Sequence, residues 1–402
     1  MIRTFHGGIV AQSGGPSAVI NSTLVAIIEE AKRKNLAWLH GSLNGPEGID
    51  KERFVDLFME RDDILNRVAR TPCSALGSSR RKIGREEGQI APERIFEVLK
   101  KRDARYFFYI GGNDSAGNAL EVSRIAMHNE YELYVFHVPK TIDNDLMEND
   151  HTHGYRSAAK FVALATLGDN LDNLSLPGVK INVIMGRSAG FLAAGSGLAR
   201  RNEDDAPHLI YFPERVFNIE NFLRDVEGAY KRYGRAVVSV SEGIEDKKGV
   251  PIGWNGKKDS HDNYELEGQL VANRLTELVR KAGIKRVRAD VFGYLQRSFP
   301  GIVSSQDRRE ALAVGARGVR EAVKGEHQSG SISLMRKPGG KYDFEMRVVP
   351  LEAVAKGTRR MPDEFINEEG NYVTQAFLDY VSPLFGKLPE MGRLEMHFVK
   401  FS

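Results

Sequence analysis

An α/β fold of two similar Rossmann-like lobes, each a mainly parallel sheet flanked by helices, is what the 402-residue sequence predicts. Three observations carry this expectation. Short apolar runs without polar alternation recur along the chain, as in strands buried on both faces. Nearly every run ends in glycine and polar residues, and a segment of helical periodicity follows. The unit of strand, glycine-bearing tip and helix recurs about six times. In open sheets of this kind ligands sit at the carboxyl ends of the strands, so the tips are expected to converge on a cleft between the lobes.

Ile9-Val10-Ala11 is the first such strand. It runs into Gln12-Ser13-Gly14-Gly15-Pro16-Ser17, and Ile20, Leu24, Ile27, Ile28 and Ala31 then mark one face of a helix. A glycine turn before a helix suits phosphate, whose charge the helix end and backbone N–H groups favour. The spacing matches neither GxGxxG nor GxxxxGK[ST]. Thr71 to Gln89 is a long polar loop with four cations, Arg80, Arg81, Lys82 and Arg85. It either holds a polyanion or is a solvated basic loop.

A strand from Tyr106 to Ile110 ends in Gly111-Gly112-Asn113-Asp114-Ser115, and a helix follows from about Ala116 to His128. Asn113 and Asp114 offer hard oxygens of the kind Mg²⁺ takes; the same residues also make a helix N-cap. Tyr134 to Val138 is the next strand, ending in Pro139-Lys140-Thr141-Ile142-Asp143-Asn144-Asp145. A cation, a hydroxyl and two carboxylates thus reach a strand tip, unless Asp143 and Asn144 merely bond local backbone in an Asx-type turn.

A helix is expected from Arg156 to Leu167, then a strand from Lys180 to Met185 with Gly186 and Arg187 at its tip. Ala193, Ala194, Gly195 and Gly197 suit close helix–sheet packing. His208 to Tyr211, a helix near Ile219 to Tyr233 and a strand from Arg235 to Val240 follow; that strand ends in Ser241-Glu242-Gly243. Asp246 to Asp262 reads as a surface loop and Leu266 to Arg280 as an amphipathic helix. The strand Arg286 to Phe292 carries Gly293-Tyr294-Leu295-Gln296-Arg297 at its tip. A helix from Gln306 to Val323 and a short strand from Ser331 to Met335 precede a C-terminal portion of short helices and loops.

Composition excludes several function classes. With 57 basic and 54 acidic residues there is no general drive toward nucleic acid or membrane. The single cysteine, Cys73, forms no intrachain disulfide and reads as a small buried apolar residue in a reducing, cytoplasmic protein. No apolar stretch approaches the ~20 residues of a membrane span, and Met1 to Gly8 lacks a signal-peptide core. No zinc spacing or GxSxG nucleophile is present. The tips supply Arg80, Lys140, Arg187, Arg288 and Arg297 as cations, and Asp114, Asp143, Asp145 and Glu242 as carboxylates. That set suits a phosphorylated substrate, Mg²⁺ and one general base, which is what phosphoryl transfer requires.

Seven of these segments, in order over about residues 8 to 320, resemble the phosphofructokinases: Ser13-Gly14-Gly15-Pro16 with Asn21, Leu76-Gly77-Ser78-Ser79-Arg80, the Gly111 and Lys140 tips, Met185-Gly186-Arg187, Ser241-Glu242-Gly243 and the Gly293 tip. The resemblance implies a donor-binding lobe of residues 1–153 with about 300–350, and a sugar-phosphate lobe of 154–299 with about 351–402. It implies Asp143 as the base, with Lys140, Asp114 and Arg187 beside it in catalysis. Gly14, Gly15, Arg80 and Lys140 would bind the donor. Thr141, Ile142, Asp143, Met185, Gly186, Arg187, Glu242, Leu295 and Gln296 would contact fructose 6-phosphate, and Arg288, Tyr294 and Arg297 would hold its phosphate. Asn113 and Asp145 would hold Mg²⁺, and the chain would form a homodimer or homotetramer.

ATP-using members have glycine where this sequence has Asp114 and Lys140, whereas diphosphate-using members resemble it at both. A carboxylate at Asp114 would repel the α-phosphate of a nucleotide, so inorganic diphosphate is the expected donor. Three positions depart from the pattern: Asn113 replaces the usual acid, Tyr294 a histidine, and Gly178 an arginine that reaches a neighbouring subunit in bacterial ATP enzymes. An ATP-dependent enzyme and a non-catalytic regulatory subunit of the same fold are the alternatives; a nicotinamide dehydrogenase would need the missing GxGxxG.

Overall fold

Strand β1 (Gly7–Gln12) is buried along its whole length, and its neighbours show why its sequence has no polar alternation. Ile9 and Ala11 pack on one side of the sheet with Phe107 and Tyr109, while Val10 packs on the other with Phe108 and Ile110. Both faces are covered by helices, so both must be apolar. The computed structural model describes residues 6–79, 81–258, 264–339, 342–395 and 397.

From β1 the chain passes through α1 (Ile20–Arg33), β2 (Leu39–Ser42), α2 (Pro46–Asp50), β3 (Phe54–Asp56), α3 (Asp62–Val68) and α4 (Pro92–Lys101). Strand β4 (Ala104–Gly111), α5 (Asn113–His128), β5 (Tyr134–Pro139) and the long α6 (Tyr155–Ser175) follow. Next are β6 (Val179–Ile184), α7 (Phe191–Gly195), β7 (Leu209–Tyr211), α8 (Ile219–Tyr233) and β8 (Ala236–Ser241). A hairpin of β9 (Trp254–Lys258) and β10 (Tyr264–Leu266) precedes α9 (Gly268–Lys281), β11 (Val287–Val291), α10 (Leu295–Ser298) and α11 (Ser305–Lys324). The chain closes with β12 (Ser329–Arg336), β13 (Phe344–Val349), α12 (Leu351–Ala355) and α13 (Gln375–Phe385).

Seven strands form one sheet in the order β13-β12-β5-β4-β1-β2-β3, with α1 and α11 on one face and α4 and α5 on the other. Its interior pairings are parallel, and only the outermost strands β3 and β13 run antiparallel. The second sheet, β11-β6-β8-β7, is parallel throughout. Helices α8 and α9 cover one of its faces, and α6, α7 and α13 cluster on the other. The chain returns to the first sheet at α11 and β12. Leu351 packs with residues of the first sheet, and Met361, Phe365 and Phe377 pack against the α6 and α7 cluster.

Three strands lack the apolar runs that mark the interior ones. β3 is three half-exposed residues at an edge, β13 is a half-exposed antiparallel edge, and β9 is Lys- and Gly-rich. α6 runs past the expected Leu167 to Ser175 because its polar continuation is satisfied: Asn170 bonds Asp205 at 2.7 Å and Asn173 bonds the Gly178 carbonyl at 3.1 Å.

The two sheets are joined where α6 begins. Its N-cap position is Gly154, at φ +106°, which has no side chain to cap the helix. The cap comes from α11: the fully buried Asp307 accepts from Gly154 N at 2.7 Å, Ser157 N at 3.0 Å and Ser157 Oγ at 2.6 Å. Burial raises the pKa of this carboxyl, and the bonds it accepts oppose the rise. Asp307→Ala would leave two buried N–H groups unpaired at about 1–3 kcal/mol each. Chemical denaturation should show a loss of about 3 kcal/mol, with a smaller loss for Asp307→Asn; a midpoint equal to wild type would show that α6 needs no cap.

Candidate active site

The turn after β1 is built before any helix starts. Ser13 N bonds the Ile110 carbonyl at 2.8 Å, Gly14 N bonds the Ser79 carbonyl at 3.0 Å, and Ser78 Oγ donates to the Gly14 carbonyl at 2.6 Å. Gly14 has φ +73°, a conformation that favours glycine. Helix α1 begins only at Ile20, so the helix end does not sit at the glycine pair as expected. Gly14 N–H is engaged by Ser79, and what Gly14 contributes is room. Asn21 works beneath the turn: its Oδ1 accepts from Ala75 N at 2.8 Å and from Gln12 Nε2 at 3.1 Å, while its Nδ2 donates to the Thr71 carbonyl at 2.9 Å. The long polar loop is thus held against β1.

Lys140 follows β5 and continues its pairing, with its N–H on the Gly111 carbonyl at 2.8 Å. The side chain is 3% exposed, and its ammonium donates to the carbonyls of Ser13 at 3.1 Å and Gly15 at 2.6 Å. An ammonium has three N–H donors, so one remains for a ligand. Burial foremost, and then the nearby Arg297 charge, lower its pKa to about 8, with Asp143 and Asp145 opposing the fall.

Three residues on, Asp143 N bonds Thr141 Oγ1 at 3.1 Å. Asn144 is buried at φ +60°. Its amide does not make a local Asx turn: Oδ1 accepts from Thr152 N at 3.0 Å, and Nδ2 donates to Tyr380 Oη at 2.9 Å. The Asp143 and Asp145 carboxyls therefore stand on a loop fixed from behind. Burial raises both pKa values; Lys140 and Arg297 oppose the rise at Asp143, and the Asp143 charge adds to it at Asp145.

Asn113 and Asp145 meet across the two tips, with Asn113 Nδ2 donating to Asp145 Oδ2 at 2.8 Å. Asn113 Oδ1 and Asp145 Oδ1 are both buried without a hydrogen-bond partner. Two orphaned hard oxygens fit Mg²⁺, which commonly takes one or two protein ligands and completes its shell with water and substrate phosphate. Among the described residues there is no cluster of three or more His, Cys, Asp or Glu, so an all-protein cage is absent.

The second sheet contributes Arg297. A Cβ placed on Gly15 would lie 2.5 Å from Arg297 Nη1, so the guanidinium rests on the glycine turn and closes the cleft there. The tips of β6 and β8 interlock: a Cβ on Gly243 would lie 2.0 Å from the Arg187 carbonyl, and Ser241 Oγ donates to the Gly186 carbonyl. Arg187 is exposed; Met185 and Glu242 are half-buried beside it. Thr141 is buried in the loop, and Ile142 packs with Tyr155.

A model of the family described as phosphofructokinase matches residues 8–322. The chain belongs to the phosphofructokinase family. It is 48% identical to a pyrophosphate–fructose 6-phosphate 1-phosphotransferase of Rhodospirillum rubrum over 96% of both chains. A protein of the same name from Halomonas elongata is 34% identical, covering 98% of this chain and 97% of its own. The crystal structure of a pyrophosphate-dependent phosphofructokinase from Marinobacter aquaeolei superposes with a TM-score of 0.84 at 34% identity, covering 97% of this chain and 94% of that one.

Several expected site residues lie elsewhere in this phosphofructokinase. Arg288 stands one residue into β11, at the amino end of the strand, whereas the cleft lies beyond its carboxyl end. Three further strand residues, Ala289 to Val291, carry the chain roughly 10 Å away from it before the tip begins, so within one chain it does not join Arg297. Tyr294 and Leu295 are exposed, and Gln296 is a buried bracket that accepts from Met185 N at 3.2 Å and donates to the Gly293 carbonyl at 3.0 Å. Asp114 is 71% exposed on the outer side of the glycine pair, 3.3 Å from Lys82, and is not among the buried charges. Arg80 lies outside the described residues. The other cations of its loop face carboxylates: Arg81 with Asp50, Lys82 with Asp114, and Arg85 with Glu93.

Sequence reading missed the C-terminal contributions of Arg359 and Tyr380, more than 200 residues from the loop they touch. Their segment carries no motif, and only the fold brings it there. A methyl on Gly14 would lie 3.6 Å from Lys140 Nζ, in the space next to the ammonium, and would hold a side chain at positive φ. Gly14→Ala should lower stability by about 1 kcal/mol and weaken calorimetric binding of inorganic diphosphate by about tenfold. Unchanged affinity would place the anion elsewhere.

Proposed function

We propose that this chain transfers a phosphoryl group from inorganic diphosphate to the 1-hydroxyl of fructose 6-phosphate, reversibly, giving fructose 1,6-bisphosphate and phosphate. The observation that carries this reading is the buried Lys140 ammonium, set between the glycine turn and the Asp143 and Asp145 carboxylates. The printed names of the relatives at 48% and 34% identity support it.

Asp143 accepts the proton of the attacking hydroxyl. Its burial makes it a stronger base than an ordinary carboxylate, which suits proton transfer near neutral pH. Lys140 and Arg297 neutralise the transferring phosphoryl group and the departing phosphate. Arg187, Glu242, Met185 and Gly186 present the sugar to Asp143, so the rate gain comes largely from positioning. Asn113 and Asp145 would hold Mg²⁺, whose chemistry there is to offset charge on the diphosphate oxygens.

Donor choice follows from the surface beside the N-terminus of α5. A depression of about 400 Å³ is lined there by Ile83, Gly117 and Thr358, with Asp114 and Glu121 on its wall. Asp114, paired with Lys82, puts a side chain where glycine would leave room for the longer polyphosphate of a nucleotide, and a short diphosphate is the better fit. The enzyme acts in the cytoplasm, in glycolysis or gluconeogenesis. Among the described residues no helix is long and apolar enough to cross a membrane. Exposed Tyr294, Leu295 and Phe299 support assembly as a homodimer or homotetramer.

Turnover with Mg²⁺ and diphosphate should exceed turnover with Mg²⁺ and ATP; the reverse order would overturn the donor assignment. In the same paired assay Asp114→Gly should gain measurable ATP use. Asp143→Asn should lower kcat by about 10²–10⁴ with the fructose 6-phosphate KM changed only a few-fold. Near-normal kcat in that variant would remove Asp143 from the mechanism.

A further inference from the structure

We infer that Tyr380 and Arg359, both in the C-terminal segment, are positioning residues that aim the Asp143 and Asp145 carboxylates by clamping the backbone between them. Asn144 lies between the two acids in the left-handed conformation, which reverses the chain so that its neighbours leave the loop in different directions. The carbonyl of Asp145 accepts from Arg359 N at 2.7 Å, and Leu146 pairs with Thr358 in an antiparallel bridge. The Arg359 guanidinium donates to the carbonyls of Asn149 at 2.9 Å and Asp150 at 2.5 Å, and reaches that of Asn144 at 3.5 Å. Tyr380 Oη receives the Asn144 amide at 2.9 Å and donates to the Asp150 carbonyl at 2.8 Å. The loop is thus bonded to two side chains of the C-terminal segment.

The clamp is itself held rigidly. Arg336 bonds the Tyr380 carbonyl at 2.8 Å and lies over its ring at 4.8 Å, and Phe365 and Phe377 pack against the same ring. Arg359 lies over Phe191 at 4.8 Å. A residue at φ +60° with a buried amide has no intrinsic reason to hold that conformation once its partners are lost. Displacement of a reacting group by about 1 Å can cost 10²-fold in rate.

This inference rests on the reading of Asp143 as the base, and the experiment separates the two. Tyr380→Phe keeps the ring and removes only the hydroxyl. It should lower kcat about 10- to 100-fold, leave both KM values within threefold of wild type, and keep the melting temperature within a few degrees. Asn144→Gly keeps the positive φ and removes the amide from the loop side, so it reports on the clamp even if the tyrosine variant folds poorly; it should show the same kcat loss. In the Asn144→Gly background, Tyr380→Phe should then cost less than twofold. Wild-type kcat in Asn144→Gly, fully additive losses in the double variant, or a rise in KM at constant kcat would each overturn the inference. Asp143→Asn assayed alongside tells the failures apart: if it stays active, the base assignment falls; if it is inactive while the Tyr380 and Asn144 losses are additive, only the clamp falls.

Discussion

The Lys140 ammonium is the interaction on which the site depends. Placing a charge in a poorly hydrated interior is costly unless partners are fixed around it. Here the partners are two backbone carbonyls of the glycine turn and two carboxylates on the loop that carries the lysine itself. The arrangement binds the tip of β1 to the tip of β5, so the turn cannot relax without leaving an unpaired ammonium. The same poor hydration that lowers the lysine pKa raises those of Asp143 and Asp145. One environment therefore produces both an adaptable cation and a competent base.

Around this centre the molecule is held by polar groups buried between the two sheets. Asp307 caps α6 from α11. Three residues further along α11, Glu310 is fully buried and forms an ion pair with Arg156 at 2.8 Å, and it meets His151 Nε2 at 3.2 Å. Burial works against the Glu310 charge, but the His151 bond and the Arg156 charge keep its pKa below the usual value. Tyr342 bonds His151 at 2.9 Å and also bonds Glu310, which brings the segment between β12 and β13 into the same network. Pairs of this kind constrain geometry more than they add stability, because desolvation offsets their attraction. At this junction geometry matters, since it sets how Arg297 from one sheet meets Gly15 from the other.

Much of this was legible in the sequence, for physical reasons. Continuous apolar runs located β1, β4, β5, β6 and β8, because parallel strands buried on both faces leave little room for polar residues; β11 is an edge strand with Arg288 and Asp290 exposed and carries no such run. Glycine and carboxylate clusters after those runs located the tips, and Lys140, Asp143, Asp145, Asn113 and Arg297 do come together. Direction and reach were not legible. Arg288 and Arg297 lie nine positions apart on one expected element, yet a strand carries them to opposite ends. Asp114 is one residue from Asn113, but the first turn of α5 rotates it outward to Lys82. Tyr380 and Arg359 act across more than 200 residues, and nothing in their local sequence marks them. The edge strands β3, β9 and β13 are short or half-exposed and lack the apolar signal that marked the interior ones.

Lys140 is a buried, charge-compensated ammonium with one N–H left for an anion. The most direct test is the titration of Lys140 followed by NMR of a labelled ε-carbon, with Lys140→Met to assign the signal. In the free protein the midpoint should lie near 8, with the group charged below that pH and neutral above it. Saturating diphosphate should move the midpoint upward, because an anion beside the ammonium favours its charged form. A midpoint near the ordinary 10.5 that does not respond to diphosphate would contradict the account.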